Sequence, residues 1–383
     1  MQEATTIARI QEADLHITTE CSSHCPYCYV DPNEEYPPGT LFKKCEDVGD
    51  TALLKRIISA LRRVAGIEDL VLVGGDPCRH GDLIELLRYA KEQQDLNTCV
   101  LSNTHIYRDC GQILPIEGVI PLLDEIDFTL HGANKEIHDA FNRTPGSYEA
   151  ATNQIKKFIK GRSFHHSVGI VLNMVPTTIG TPELLRTIMV NIIEELGMSP
   201  VQDFFTIQRI APSGKALMAW HKWKITSKML TDAFDVFDEI KDRYGFETKV
   251  CIDAIPWCAL PERHWHYLEP LTGGCNWGKS GGVLSVLPDG TLQRCALCQN
   301  DLGVNILDLK NQYAFTKFLQ NNPALYLARK REHLWPECLK CKLFEKCGGG
   351  CIVSSSDGTS YGDPYGAHPY LPRRGMDYLA TGF

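Results

Sequence analysis

The sequence predicts an α/β protein built on a parallel sheet of six strands, followed by a smaller cysteine-rich region. Three observations carry this. Strand-like runs alternate with amphipathic stretches from Asp14 to Gln208, the alternation stops at Pro212-Ser213-Gly214, and from Cys251 onward the chain becomes rich in cysteine, glycine and tryptophan. Alternating β and α segments imply a parallel sheet with right-handed crossovers. A flat doubly wound sheet and an open barrel both satisfy this pattern.

The strand-like runs are Asp14–Thr19, Asp69–Val73, Thr98–Ser102, Ile126–Leu130, Val168–Val175 and Asp203–Gln208. Between the first two, Leu53, Leu54, Ile57, Ile58, Leu61 and Val64 recur at intervals of three and four, and Gly66 ends the run. Leu83, Leu86, Leu87 and Ala90 repeat the pattern, as do Leu184, Leu185, Ile188, Ile192 and Ile193 behind Pro182. After Gly214, Thr226 or Ser227 can cap a helix with the apolar face Leu230, Phe234, Phe237 and Ile240. The tail beyond Gly362 is rich in proline, tyrosine and glycine and is expected to be irregular.

With 383 residues, 43% of them hydrophobic, the chain can bury one large core and a small one. A net charge of -8 supplies no basic footprint, so no nucleic-acid partner is expected. No apolar stretch is long enough to span a membrane and Met1–Arg9 has no apolar core, so the expected location is cytoplasmic. Nine of the 16 cysteines lie between Cys251 and Cys351, and three more in the first loop. Such clustering, without an export signal, favours metal ligation over disulfides.

The first loop reads Glu20-Cys21-Ser22-Ser23-His24-Cys25-Pro26-Tyr27-Cys28, a C-x3-C-x2-C spacing directly after the first strand. Three thiolates there can hold three irons of a four-iron cluster and leave the fourth open. A zinc-binding loop is the alternative. Tyr27 would shield a cluster on this loop. The pattern resembles that of the radical S-adenosylmethionine (radical SAM) enzymes, and other segments extend the resemblance. Gly74-Gly75-Asp76-Pro77, ending the second strand, resembles the family's GGEP segment, which contacts the amino group of the cofactor's methionine. Here Asp76 replaces the usual glutamate. Asn103 resembles the asparagine of a T-N-G segment close to the cofactor. His131-Gly132 resembles the end of the family's fourth strand. Glu136–Tyr148 resembles H-D-x-x-R-x-x-x-G-S-[FY], whose arginine pairs with the methionine carboxylate, making Arg143 the candidate clamp. Asn173 occupies a position where the family often places a ribose contact, and Arg209-Ile210-Ala211-Pro212 resembles a loop near adenine.

The C-terminal cysteines resemble a SPASM domain, which carries up to two auxiliary iron–sulfur clusters. Cys275 is followed by fourteen residues, Gly290, four residues and Cys295, then by Cys338-x2-Cys341-x5-Cys347-x3-Cys351. By that resemblance Cys275, Cys295 and Cys351 bind the nearer cluster, with Cys258 or Cys298 as its fourth ligand. Cys338, Cys341 and Cys347 bind the outer one. A pair of zinc ribbons is the alternative. The family's final cysteine, often in D-P-Y-C, is absent here: the chain reads Asp363-Pro364-Tyr365-Gly366. The outer site must then use Asp363 or His368, borrow Cys298, keep an open iron, or be lost. Cys251 and Cys258 are also candidate catalytic hydrogen-atom donors.

The resemblance selects, from the two sheets left open above, an open partial (β/α)6 TIM-like barrel followed by a small cysteine-rich α+β SPASM domain. It divides the chain into an extension at 1–14, the barrel at 15–215, a helical linker at 216–270, the SPASM region at 271–366 and a tail at 367–383. It implies a [4Fe–4S] cluster binding S-adenosylmethionine, and one or two auxiliary clusters. The implied chemistry is reductive cleavage of S-adenosylmethionine to a 5′-deoxyadenosyl radical that abstracts a substrate hydrogen. The expected substrate is a ribosomally made peptide, crosslinked or oxidised. The alternatives are a small molecule such as an amino sugar or cyclitol, dehydrogenated or epimerised, and a non-catalytic iron–sulfur electron carrier. An electron donor such as flavodoxin or ferredoxin is implied. The cluster loop begins at Cys21, so a peptide is expected to need a separate recognition protein or a short recognition surface.

Overall fold

The computed structural model describes residues 10–21, 23–29, 49–103, 116–132, 134–211, 213–218, 220–250, 255–271, 282–323, 325 and 336–351. Six parallel strands follow the expected order: β1 (Glu12–Thr18), β2 (Asp69–Gly74), β3 (Asn97–Ser102), β4 (Glu125–Thr129), β5 (Ser167–Met174) and β6 (Phe204–Arg209). Each agrees with its sequence-read run to within about two residues, the usual uncertainty of element ends.

The alternation continues beyond Gly214. Helix Ser227–Tyr244, capped by Thr226 Oγ1 accepting from Met229 N at 3.1 Å, leads into β7 (Thr248–Val250), which pairs in parallel with β6. The segment read as a helical linker therefore adds a seventh strand. Thr248-Lys249-Val250 is too short to show a two-residue period, so its pattern could not be seen. On the other edge, β8 (Val283–Val286) pairs in parallel with β1, and β9 (Thr291–Cys295) and β10 (Cys298–Asn305) follow antiparallel. One open ten-stranded sheet, ordered β10-β9-β8-β1-β2-β3-β4-β5-β6-β7, thus runs from the barrel into the cysteine-rich region.

The two faces of the sheet differ in chemistry. Leu15, Ile17, Leu70, Leu72, Val100, Ile126, Phe128, Ile170 and Leu172 form one core with the helix residues Leu54, Ile57, Ile58, Leu86, Ile155 and Ile188. Strand residues alternate between faces, so Asp14, His16, Cys99, Asp127, Asn173 and Gln208 lie on the other side. At the start of the strands that second face is acidic. The register places Asp14, Val71, Cys99 and Glu125 in one row, with Glu12 beside Asp69 below it. Burial, reinforced by Asp69 and Glu125, pushes Glu12 up to about 7. Burial, with Glu125 adding to it and Lys249 opposing, pushes Asp127 up to about 8.

Outside the sheet, helix Pro182–Leu196 is capped by Thr181. A buried ion pair, Arg162 Nη2 to Asp203 Oδ2 at 2.8 Å, ties helix Ser147–Gly161 to the start of β6. Asp203 also accepts from Ser199 N at 2.7 Å and Val168 N at 3.2 Å. Its lone pairs are thus shared with backbone donors, which a buried charge requires.

Candidate active site

The cysteine loop sits at the C-terminal ends of the strands and is held from four sides. On β2, Asp76 N donates to Glu20 O at 2.8 Å and Gly75 N to Thr18 O at 2.8 Å. A Cβ on Gly75 would lie 2.3 Å from Glu20 O and 2.5 Å from Thr19 O. After β3, Asn103 Nδ2 donates to Cys21 Sγ at 3.2 Å and Ser23 Oγ at 3.1 Å. At the end of helix Lys135–Asn142, Asn142 O accepts from His24 N at 3.0 Å. After β6, Lys215 N donates to Cys28 O at 2.9 Å, and Gly214 (φ 54°) passes so close that a Cβ would lie 2.5 Å from that oxygen. These glycines serve backbone contact between strand ends and loop, a steric need that no side chain can meet.

Tyr27 turns inward and packs against Phe141 and Trp223, with ring centroids 5.1 and 6.1 Å away. Its hydroxyl lies 2.7 Å from His131 Nε2 and accepts from Asn173 Nδ2 at 3.1 Å. Asn173 Nδ2 also lies 3.3 Å from His131 Nδ1. An amide N–H needs an acceptor, so Nδ1 is bare and the His131 proton is on Nε2, donated to Tyr27. The Tyr27 proton is then left for the Cys25 sulfur. That hydrogen bond lowers the Cys25 thiol pKa, but burial first, and then the neighbouring Cys28 and Cys21 thiolates, push it well up. Three thiolates on one loop would repel one another, and a cationic group among them would reverse the repulsion. His131 and Asn173, 2% and 3% exposed, therefore support Tyr27.

A second polar chain reaches the same sulfur. His131 N donates to His138 Nδ1 at 3.0 Å, which fixes the His138 proton on Nε2. That nitrogen lies 2.8 Å from one end of the Asn142 carboxamide, whose other end is 3.3 Å from Cys25 Sγ. A protonated Nε2 requires the carbonyl oxygen of Asn142, so the amide N–H groups face Cys25. A metal-bound thiolate, having no proton to give, requires the same orientation. Asn142 is 1% exposed and His138 fully buried.

The candidate clamp is the next residue along the chain. Counted from His138, the arginine position of H-D-x-x-R falls on Asn142, and Arg143 stands one residue later. Arg143 ends the helix in the left-handed region (φ 53°) and is exposed, while Asn142 faces the loop. The signal was available in the sequence as the helical i, i+4 spacing of His138 and Asn142.

Asp76 makes contacts within the fold. Its Oδ1 accepts from Ser102 Oγ at 2.8 Å and Cys78 N at 3.0 Å, capping the turn Pro77–Arg79. It is fully buried, and burial raises its pKa to about 6 against those two hydrogen bonds. The carboxylate braces β2 against β3, and Gly74 and Gly75 bring the strand end to the loop.

The C-terminal cysteines form two groups. Cys295 and Cys351 share an apolar cluster with Ala211 and Leu297, where Ser213 Oγ donates to Leu297 O at 3.0 Å. That group abuts the loop after β6. Cys298 pairs with Cys295 across the β9–β10 hairpin. Cys258, Cys338, Cys341 and Cys347 line one pocket together. Cys251, Cys275, Asp363, Gly366 and His368 lie outside the described residues.

Residues 15–182 match the family model of the Radical SAM superfamily. The chain is 24% identical over 363 residues to a PqqA peptide cyclase of Ruegeria pomeroyi, covering 93% of this chain and 86% of that protein. It is 22% identical over 349 residues to an AdoMet-dependent heme synthase of Oleidesulfovibrio alaskensis, with 87% and 80% covered. Its fold is similar to Streptococcus suis SuiB bound to the precursor peptide SuiA, with a TM-score of 0.65 at 15% identity over 95% of this chain and 76% of that one. No described helix is long and apolar enough to cross a membrane. The superfamily's cofactors are a [4Fe–4S] cluster and S-adenosylmethionine. The donors fit them: three thiols on one loop, with the Asn103 carboxamide N–H at Cys21 Sγ and the Asn142 carboxamide at Cys25 Sγ. Residues 15–182 thus match the Radical SAM superfamily, and the cysteine-rich C-terminal region fits the SPASM pattern.

Proposed function

We propose that this chain modifies a ribosomally made peptide, forming a crosslink or oxidising a side chain at the open end of the barrel. The observation that carries the reading is the extent of likeness to peptide-modifying proteins: a PqqA peptide cyclase and the SuiB–SuiA complex each match more than nine-tenths of the chain, cysteine-rich region included. The chemistry supplied by the bound cofactor is reductive cleavage of S-adenosylmethionine to a 5′-deoxyadenosyl radical, which takes a hydrogen atom from the substrate.

The chain's own residues would then act as follows. Cys21, Cys25 and Cys28 hold the three closed irons. Asn103 and Asn142 direct N–H groups at Cys21 and Cys25, and Tyr27, locked by His131 and Asn173, covers the loop and keeps water from it. Gly74 and Gly75 keep the β2 end low enough for a ligand to lie over it. Arg143, exposed at the helix end beside the loop, is the candidate partner of the cofactor's carboxylate. A flavodoxin or ferredoxin is the expected electron donor, and peptide capture falls to a separate recognition protein or a short surface of this chain. Cytoplasmic location follows from the need to keep the thiols reduced.

A second reading, action on a small molecule, is favoured by the likeness to an AdoMet-dependent heme synthase over 87% of the chain. The two are separated by supplying the anaerobically reconstituted protein with reductant, S-adenosylmethionine and a precursor peptide encoded beside its gene. Loss of two hydrogen masses from the peptide, with matching 5′-deoxyadenosine, supports peptide modification. An unchanged peptide, with turnover restored by a small metabolite, refutes it.

A further inference from the structure

We propose that Cys258, Cys338, Cys341 and Cys347 form one closed four-thiolate site holding a [4Fe–4S] cluster, with Cys258 standing in for the cysteine of the D-P-Y-C segment, where this chain has Gly366. The proposal rests on the reading of the C-terminal region as a carrier of auxiliary clusters. It assigns a ligand that the spacing pattern does not predict, because Cys258 lies upstream of the whole motif.

The four thiols line a single pocket with Pro256 and Phe344, and the two segments that meet there are ninety residues apart in the chain. The meeting is specific. Trp257 N donates to Cys347 Sγ at 3.3 Å, directly joining the Cys258 turn to the last cysteine of C-x2-C-x5-C. Leu343 N donates to Cys341 Sγ at 3.4 Å. Backbone N–H groups on cysteine sulfurs are what a thiolate-bound cluster uses to spread its negative charge.

The turn that carries Cys258 is itself rigid. Trp257 is 2% exposed, and Trp265 Nε1 donates to both Trp257 O at 2.9 Å and Leu260 O at 3.1 Å. Lys346 Nζ lies 5.5 Å from the Trp257 ring centroid, bringing a cation to the rim. Cys338 and Cys347 are each 8% exposed, and thiolates buried to that depth need a metal or other cation to offset lost hydration. Four protein thiolates leave no open iron, so the site is suited to passing an electron and not to binding a substrate. A metal-bound Cys258 also has no hydrogen atom to give, which removes it as a hydrogen-atom donor.

The test measures iron, acid-labile sulfide and zinc per chain in anaerobically purified full-length protein, beside Cys258→Ala, Cys341→Ala and the double variant. Each single variant is expected to lose about four irons per chain, and the double variant no more than either one. Throughout, the electron paramagnetic resonance signal that shifts on adding S-adenosylmethionine should persist. Unchanged iron in Cys258→Ala, additive losses in the double variant, or loss of one zinc in place of iron would each overturn the proposal. Cys258→Ser guards against misfolding: an oxygen ligand should keep the iron but change the signal of the second cluster only, and an unchanged signal also overturns it. If the signal responsive to S-adenosylmethionine is missing from the unaltered protein, the radical SAM site reading fails instead.

Discussion

Two of the thiol groups among the described residues are built in opposite ways. Cys21, Cys25 and Cys28 come from one short segment, which the rest of the barrel grips through Glu20, Cys21, His24 and Cys28. Cys258 and Cys338–Cys347 come from two distant segments that meet over a pocket, joined by Trp257 N to Cys347 Sγ. The first arrangement makes spacing sufficient to read the ligands. The second hides one ligand, because only tertiary packing brings it in. The local set also leaves one coordination position unfilled, as a substrate-activating metal requires, while the assembled set supplies four.

The largest expected effect breaks the local set. Cys25→Ala should reduce 5′-deoxyadenosine formation to the uncatalysed background while leaving the second cluster's iron in place. Product above background would show that Cys25 is not a required ligand. Next in size is Gly75→Ala, whose Cβ would meet two backbone oxygens of the loop within 2.5 Å. Overpacking of this kind costs about 1–3 kcal/mol. A lower denaturation midpoint with weakened S-adenosylmethionine binding is expected, and wild-type values for both would deny the loop its steric dependence on β2.

Smaller effects distinguish two adjacent residues. Arg143→Ala should weaken S-adenosylmethionine binding about tenfold, or about 1.4 kcal/mol, with iron content intact, as measured by equilibrium titration. Unchanged affinity would remove Arg143 from the site. Asn142→Asp replaces N–H donors with an anion facing Cys25 and should lower the potential of the cluster responsive to S-adenosylmethionine. A tenfold change in the one-electron equilibrium corresponds to about 59 mV. A potential that stays put or rises would show that the amide faces the other way.

The smallest effect concerns the far end of the barrel. Glu12 and Asp127 have folded-state pKa values near 7 and 8, raised above those of exposed carboxyls. Between about pH 4 and 8 the folded chain therefore holds protons that the unfolded chain has released. Their contribution is fully present below the unfolded values and is lost as pH rises through 7 to 8. The thermal midpoint should fall by a few degrees between pH 6 and pH 8.5, and Asp127→Asn should flatten the slope. A midpoint that rises over this range would contradict the burial of these carboxyls.

Much of the fold was legible because parallel strands are buried on both faces and their helices carry a three-four repeat, as in Leu54, Ile57, Ile58 and Leu61. β7 was missed because three residues carry no period. The attachment of β8 to β1 was missed because pairing between ends of a chain leaves no local mark. In the site, the cysteine loop, Gly74, Gly75, Asn103, His131 and Asn173 were visible as residue types at strand ends. The roles of Asn142, His138 and Asp76 were not, since they depend on which way a carboxamide or carboxylate turns. That direction is fixed by partners such as Ser102 and His131 N, which lie far away in sequence or belong to the backbone.

The most direct test is the yield of 5′-deoxyadenosine from the anaerobically reconstituted chain, supplied with a low-potential reductant and S-adenosylmethionine. Formation of 5′-deoxyadenosine and methionine in equal amounts, abolished in Cys25→Ala, is the predicted result. Fully iron-loaded, reduced protein that leaves S-adenosylmethionine intact would contradict the assignment of the loop as a radical-generating site.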